Sequence, residues 1–142
     1  MNAQPYELNY DWSKLGPVAW SESSIVTLQV DLESHDEPER LADAVLGWWG
    51  AFESDTFQGH TFAYEGGCQM IEPVFIEGRP TLWLVSHGQD AFDSIAHYAQ
   101  QVFDIAIAVD PQVRVVWTEL PHQDPAAEQW PVSTGVGQYL TD

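Results

Sequence analysis

The side chains that could perform covalent or acid–base chemistry are one cysteine, Cys68, and five histidines spread along the chain. Cys68 could meet His60 or His87 across a sheet, where an imidazole would accept the thiol proton. The histidines form no His-x3-His pair, and Cys-x2-Cys and His-Glu-x2-His motifs are absent, so no zinc motif is present. A lone cysteine is more often a packed core residue than a nucleophile, and we expect Cys68 to be buried.

Four carboxylates, Asp31, Glu33, Asp36 and Glu37, lie close together in sequence and could bind a divalent cation through oxygen. Their spacing is not that of an EF-hand, and helix capping accounts for two of them. Glycine-rich phosphate loops and Gly-x-Ser-x-Gly elbows are also absent. Any fold with 22 acids can bring two carboxylates together, and nothing in the sequence singles out one pair. We therefore predict no catalytic residue, no metal site and no cofactor.

The charge balance is the most unusual property of the sequence. Asp and Glu number 22, whereas the basic residues are Lys14, Arg40, Arg79 and Arg114, which gives a net charge of −18. Charged residues make up only 18% of the chain, below the roughly 25% of ordinary domains, so the imbalance comes mainly from missing bases. Binding to nucleic acid requires cationic side chains, so direct binding is disfavoured and a cationic partner is favoured.

The length of 142 residues is that of a single domain, and 44% hydrophobic content is enough for a core. One cysteine excludes an internal disulfide. The N-terminus has no secretory signal pattern, and no apolar run approaches the roughly 20 residues that span a bilayer. We expect one soluble cytoplasmic domain.

The hydrophobic periods predict two helices among short strands. An arm over 1–23 contains aromatic residues that we expect to pack onto the core. A strand over 24–32 follows, where alternate residues are apolar. A helix follows, which we expect to be capped by Ser34 or Asp36 and to end near Ser54. The later elements are strands over 60–64, 68–76 and 81–86, a helix from about 89 to 110, a strand over 113–120 and a tail over 121–142. The turn at 77–80 predicts a hairpin, and Pro73 indicates that the first strand of this hairpin is an edge strand or is bulged.

Right-handed crossovers in the two β-α-β units would place both helices on one face of an antiparallel sheet. We therefore predict an α+β fold with the ferredoxin-like, split β-α-β arrangement and extra N- and C-terminal arms.

The charge is concentrated in the two helical regions. Segment 33–55 has a net charge of −6 and segment 89–112 a net charge of −4. If both helices lie on one face, their outer sides form one anionic surface. Tryptophan could add contact area and cation–π attraction there. The residues that we predict to bind a partner are Glu37, Glu39, Asp43, Trp49, Asp90, Asp93 and Asp104.

This surface favours a non-enzymatic inhibitor or interaction protein that binds a basic, nucleic-acid-handling protein. Carboxylates one helical turn apart are about 5–6 Å from each other, and duplex DNA has one charge per roughly 1.7 Å of axis. The chain could thus act as a DNA mimic of the anti-restriction or anti-CRISPR type.

Other interpretations stay open. An immunity protein or antitoxin for a nuclease toxin needs the same anionic surface, and a small enzyme or ligand-binding domain could have a pocket near Cys68. The acids could also be only a solvated surface or an adaptation to high salt.

Overall fold

The computed structural model describes residues 3–9, 11–12, 25–57, 60–87 and 90–120. The strands and helices follow the order β-α-β-β-β-β-α-β. Their bounds are β1 (Ile25–Glu33), α1 (Pro38–Gly50), β2 (Glu53–Phe57), β3 (His60–Glu65), β4 (Cys68–Ile76), β5 (Arg79–His87), α2 (Ala91–Val109) and β6 (Arg114–Glu119). In this part of the chain no helix is both long and apolar enough to cross a membrane.

The described strands form one six-stranded sheet in the order β2-β3-β4-β5-β1-β6, and every neighbouring pair is antiparallel. The predicted α+β class, with an antiparallel sheet and two helices packed on it, is therefore confirmed. Segments 13–24 and 121–142, which contain about half of the predicted N-terminal arm and the whole predicted tail, lie outside the described residues.

The two faces of the sheet separate cleanly along β1. Val26, Leu28, Val30 and Leu32 point to one face and join the main core with the buried residues of α1 and α2. Ile25 points to the other face, where it packs with Ile71, Trp83 and Val85 in a second buried cluster. We call the first the helix face and the second the helix-free face, because both described helices belong to the main core.

The first helix starts and ends differently from the prediction. It begins at Pro38, and its N-cap residue is Glu37, which makes no side-chain cap bond. The hydroxyl of Ser34 accepts a hydrogen bond from the Glu37 N–H at 2.9 Å and so holds the turn before the helix rather than the helix itself. The helix ends at Gly50 rather than near Ser54. Segment 53–57 pairs with β3 instead and forms an edge strand that was not predicted. Tertiary pairing decides this conformation, because the segment has no apolar alternation of its own.

Two hairpins share the same kind of turn. Gly66 and Gly67 join β3 to β4 with φ of 56° and 80°, and Glu77 and Gly78 join β4 to β5 with φ of 55° and 79°. Positive φ at both central residues matches the right-handed twist of the strands. The hairpin predicted at 77–80 is confirmed, and β4 shifts register between Ile71 and Val74, as the proline between them predicted.

The described N-terminal residues pack aromatic rings against the core. Trp12 is fully buried, its ring centroid lies 5.2 Å from that of Phe92, and its indole N–H donates to the Leu120 carbonyl at 2.7 Å. Tyr6 donates its hydroxyl to Glu119 at 2.6 Å. The arm predicted to pack aromatics onto the core is thus observed for these residues.

Gly66 and Gly78 both have positive φ, so alanine substitutions at the two positions can be compared to test the close packing beneath the β3–β4 turn. A Cβ at Gly66 would lie 2.6 Å from the hydroxyl of Tyr98, which is buried and donates to Glu65, whereas a Cβ at Gly78 would meet nothing within 4 Å. We expect Gly78→Ala to lower the free energy of unfolding by about 1 kcal/mol through backbone strain. Gly66→Ala should lower it by about 2–4 kcal/mol, because overpacking adds to that strain.

Urea unfolding followed by tryptophan fluorescence measures both changes. Equal losses in the two variants would mean that Tyr98 moves aside without cost and would contradict the packing described here.

Candidate functional site

The outer sides of the two helices carry five exposed carboxylates. Glu39 and Asp43 are exposed on α1, Asp93 and Asp104 are exposed on α2, and Asp90 is exposed at the residue that precedes α2. Because α1 and α2 contact each other and join one core, these side chains lie on the same side of the molecule. We call them the helix-layer acids.

Three acids of segment 33–55 do not belong to this surface. Glu33 is on β1, and Glu53 and Asp55 are on β2. Glu33 alternates with Leu32 and so points to the helix-free face. Val85 also points to that face, and successive pairings from Val85 to Gln69, Tyr64 and Glu53 place Glu53 there too. Asp55 lies two residues after Glu53 on the same strand and therefore points the same way. Counting charge by segment therefore overstated the anionic surface of the helices.

Asp110, the last acid counted in segment 89–112, is only 5% exposed. Its carboxylate accepts hydrogen bonds from the Ser34 hydroxyl at 2.7 Å and the Gln112 N–H at 2.8 Å. These bonds, the Ser34 bond above all, lower the pKa of Asp110 below its usual value. Without Asp110 and the three strand acids, the two segments keep a net charge of −6 from Asp36, Glu37, Arg40 and the helix-layer acids.

Within the described part of the chain, no Arg forms an ion pair with a helix-layer acid. Arg40 pairs instead with Glu37, at 3.6 Å. Asp104 accepts a hydrogen bond from the Gln100 amide at 2.9 Å, which leaves its charge uncompensated. The acids predicted to bind a partner are thus on or directly before the two helices, although Glu37 already has a cation beside it.

The tryptophans are held inside the molecule more than the sequence indicated. Trp49 is half-buried against the main core and donates its N–H to the Met70 carbonyl at 2.9 Å. Trp48 donates to Gln101 of α2 at 2.9 Å and so links the two helices. Trp12 of the N-terminal arm is fully buried.

An exposed apolar residue on α1 was missed by the sequence reasoning. Leu46 is 43% exposed, the largest value among the exposed large hydrophobic residues of the described chain. Leu46 lies three residues after Asp43 and outside the line of apolar residues through Leu41 and Val45. This position in the helical period was the signal in the sequence that Leu46 is exposed. Gly47 beside it is also exposed, and a Cβ there would meet nothing within 4 Å.

The region around Cys68 offers little for thiol chemistry. Cys68 is fully buried, and burial raises its pKa to about 12, so the thiol stays protonated at neutral pH. The side chains of His60 and His87 lie outside the described residues.

Cys68 lines neither of two cavities that open in the described part of the chain. The first, of about 260 Å³, is on the helix-free face. The second, of about 390 Å³, lies between the β4–β5 turn and the start of α1. Arg79 lines both, donating to Glu33 at 3.2 Å and to Glu77 at 3.0 Å.

The cluster of Asp31, Glu33, Asp36 and Glu37 that could have bound a cation does not assemble. Asp31 accepts hydrogen bonds from Thr81 at 2.7 Å and from Gln29 at 3.0 Å, and Glu33 pairs with Arg79. No three His, Cys, Asp or Glu side chains of the described residues are placed to hold a metal ion.

Comparison of the chain with protein families, curated proteins and solved structures gave no match.

The buried pair Ser34–Asp110 should make stability depend on pH. Ser34→Ala removes the hydroxyl that accepts the Glu37 N–H, a loss of about 1 kcal/mol at any pH. It also removes the main bond that holds the Asp110 pKa low. A lowered pKa stabilises the folded protein above the ordinary aspartate value, and this part is lost as the pH falls below about 4.

We therefore expect the difference in unfolding free energy between wild type and Ser34→Ala to be largest near neutral pH and to shrink in acid, as measured by urea unfolding. Ser54→Ala, on exposed β2, is the control for loss of a hydroxyl. A difference that stays constant down to about pH 3 would contradict the assignment.

Proposed function

We propose that this protein is a non-enzymatic binding protein whose helix-layer acids contact a basic partner. The observation that carries this proposal is the set of five exposed carboxylates on one side of the molecule, none of them ion-paired with an Arg of the described residues. Leu46 lies among these acids and is the apolar residue best placed for the partner to cover. Trp49 is a weaker candidate, because its N–H is already bound to Met70.

The net charge of the chain favours a cationic partner. A net charge of −18 on 142 residues produces self-repulsion that opposes folding. A cationic surface placed against the helix layer would relieve that repulsion and would attract this chain from a distance. Association should therefore be fast at low salt and should slow as salt screens the charges.

We further propose that the partner is a protein that handles nucleic acid and that this chain competes for its phosphate-binding surface. Such surfaces are lined with Lys and Arg and bind through counterion release. Asp93 and Asp104 lie three turns apart along α2, and Asp43 on neighbouring α1 widens the array of carboxylates. Inhibition of restriction or CRISPR proteins would fit this arrangement, as would neutralisation of a nuclease toxin.

The fold proposed for this role is ferredoxin-like with an added hairpin. The order β4-β5-β1-β6 supports this assignment, with α1 following β1 and α2 connecting β5 to β6. The β2–β3 hairpin then extends the sheet beyond β4.

Two triple variants, each lacking three acids, distinguish recognition by the helix layer from an effect of net charge alone. The variant Asp43→Asn/Asp93→Asn/Asp104→Asn removes three charges from the helix layer. Glu53→Gln/Asp55→Asn/Glu72→Gln removes three from exposed strand positions. We expect the helix variant to slow association by about 10-fold at low salt, because steering depends on charge near the contact.

The measurement is stopped-flow or surface-plasmon-resonance kinetics with a partner captured from lysate at about 50 mM salt and released at about 500 mM. The strand variant should associate within a factor of about two of wild type. Equal slowing in both variants would show that only net charge matters, and no slowing in either would overturn the proposed function.

A further inference from the structure

The 260 Å³ cavity on the helix-free face gathers charged groups across three strands. Arg79 of β5, Glu33 of β1 and Arg114 of β6 form one cross-strand row, in which Glu33 lies between the two arginines. The next row contains Thr81, Asp31 and Val116. Two of the four basic residues of the chain therefore line a single cavity, and the charges of its lining cancel.

Arg114 is the cation of this cavity that can accept a ligand. The guanidinium of Arg79 donates to Glu33, to Glu77 and to the Ile76 carbonyl. The side chain of Arg114 is 74% exposed, and its contact with Glu33 is 4.0 Å long, beyond hydrogen-bond distance. Its donors are thus directed to solvent at the cavity, where a carboxylate could accept two of them.

Asp31 offers a complementary acceptor on the cavity floor. One carboxylate oxygen accepts from the Thr81 hydroxyl at 2.7 Å and the other from the Gln29 amide at 3.0 Å. Each carboxylate oxygen can accept a second hydrogen bond. These neighbours fix the orientation of the carboxylate without neutralising it, and an ammonium group could bind to it.

The walls of the cavity are apolar. Ile76 of β4 and Val116 of β6 are 38% and 39% exposed and line the cavity from opposite sides of the two central strands, with Pro80 between them. They are two of the five exposed large hydrophobic residues of the described chain. A volume of about 260 Å³ is just below the roughly 300–1,000 Å³ of typical small-molecule sites, so the cavity suits a small ligand.

These groups favour a ligand that carries both charges. A simple anion would be repelled by Asp31, Glu33 and the net charge of −18, whereas a simple cation would leave the donors of Arg114 without an acceptor. We propose that the cavity binds a free α-amino acid with an apolar side chain. Its carboxylate lies on Arg114, its ammonium group on Asp31 and its side chain against Val116.

NMR titration of the ¹⁵N-labelled protein tests this site with three probes. L-Leucine carries both charges, 4-methylpentanoate lacks the ammonium group, and 3-methylbutan-1-amine lacks the carboxylate. We expect L-leucine to shift the amides of Asp31, Thr81, Arg114 and Val116 with a Kd near about 1 mM, as suits a small ligand in an open cavity. Each single-charge probe should bind at least about 10-fold more weakly.

Variants connect the shifts to the named groups. Arg114→Gln and Asp31→Asn should each weaken L-leucine binding by about 10-fold. Arg40→Gln, which removes the same charge from α1, should leave it unchanged. Arg114 is exposed, so its variant should fold normally, which the unshifted spectrum verifies.

Three results would overturn the proposal: no shift with L-leucine, equal affinity for the single-charge probes, or L-leucine binding that survives Arg114→Gln. The cavity and the helix-layer acids are on opposite faces of the sheet, so each proposal can fail without the other.

Discussion

The packing of α1 and α2 against one face of the sheet is the contact on which the rest of the structure depends. Leu41 and Val45 of α1 meet the buried side of α2 and the inward residues of β1 in a single core. Because these apolar lines must point inward, the acids between them must point outward. Both described helices lie on one face of the sheet, and the cavity with Arg79 and Arg114 is on the other face.

Scarcity of bases shapes the surface more than abundance of acids does. Of the three arginines that the structure describes, Arg79 and Arg114 serve the helix-free face, and Arg40 pairs with Glu37 at the start of α1. The helix layer therefore keeps its charge, while the charges lining the opposite cavity cancel. Apolar burial must offset the repulsion among the unpaired carboxylates. Because salt screens this repulsion, salt should stabilise the fold, and by the same screening it should weaken binding to a cationic partner.

Elements with a strong hydrophobic period were predictable from the sequence, and features that depend on strand register were not. The alternation in β1, the β4–β5 turn and the apolar line of α2 each indicated the correct element. Strand β2 was missed because Glu53–Phe57 is mostly polar and is held only by pairing with β3. The helix-layer acids were predictable from helical spacing, whereas the cavity rows across β5, β1 and β6 require the register of three strands.

Carbodiimide cross-linking of the complex with a captured basic partner tests the central claim most directly. The reagent joins carboxylates to amines without a spacer. Because Lys14 is the only lysine of this chain, nearly every amine that becomes linked to one of its carboxylates must belong to the partner. Mass spectrometry should locate the links at Glu39, Asp43, Asp93 and Asp104. Links concentrated at Glu53 and Asp55, with none on the helices, would contradict the account.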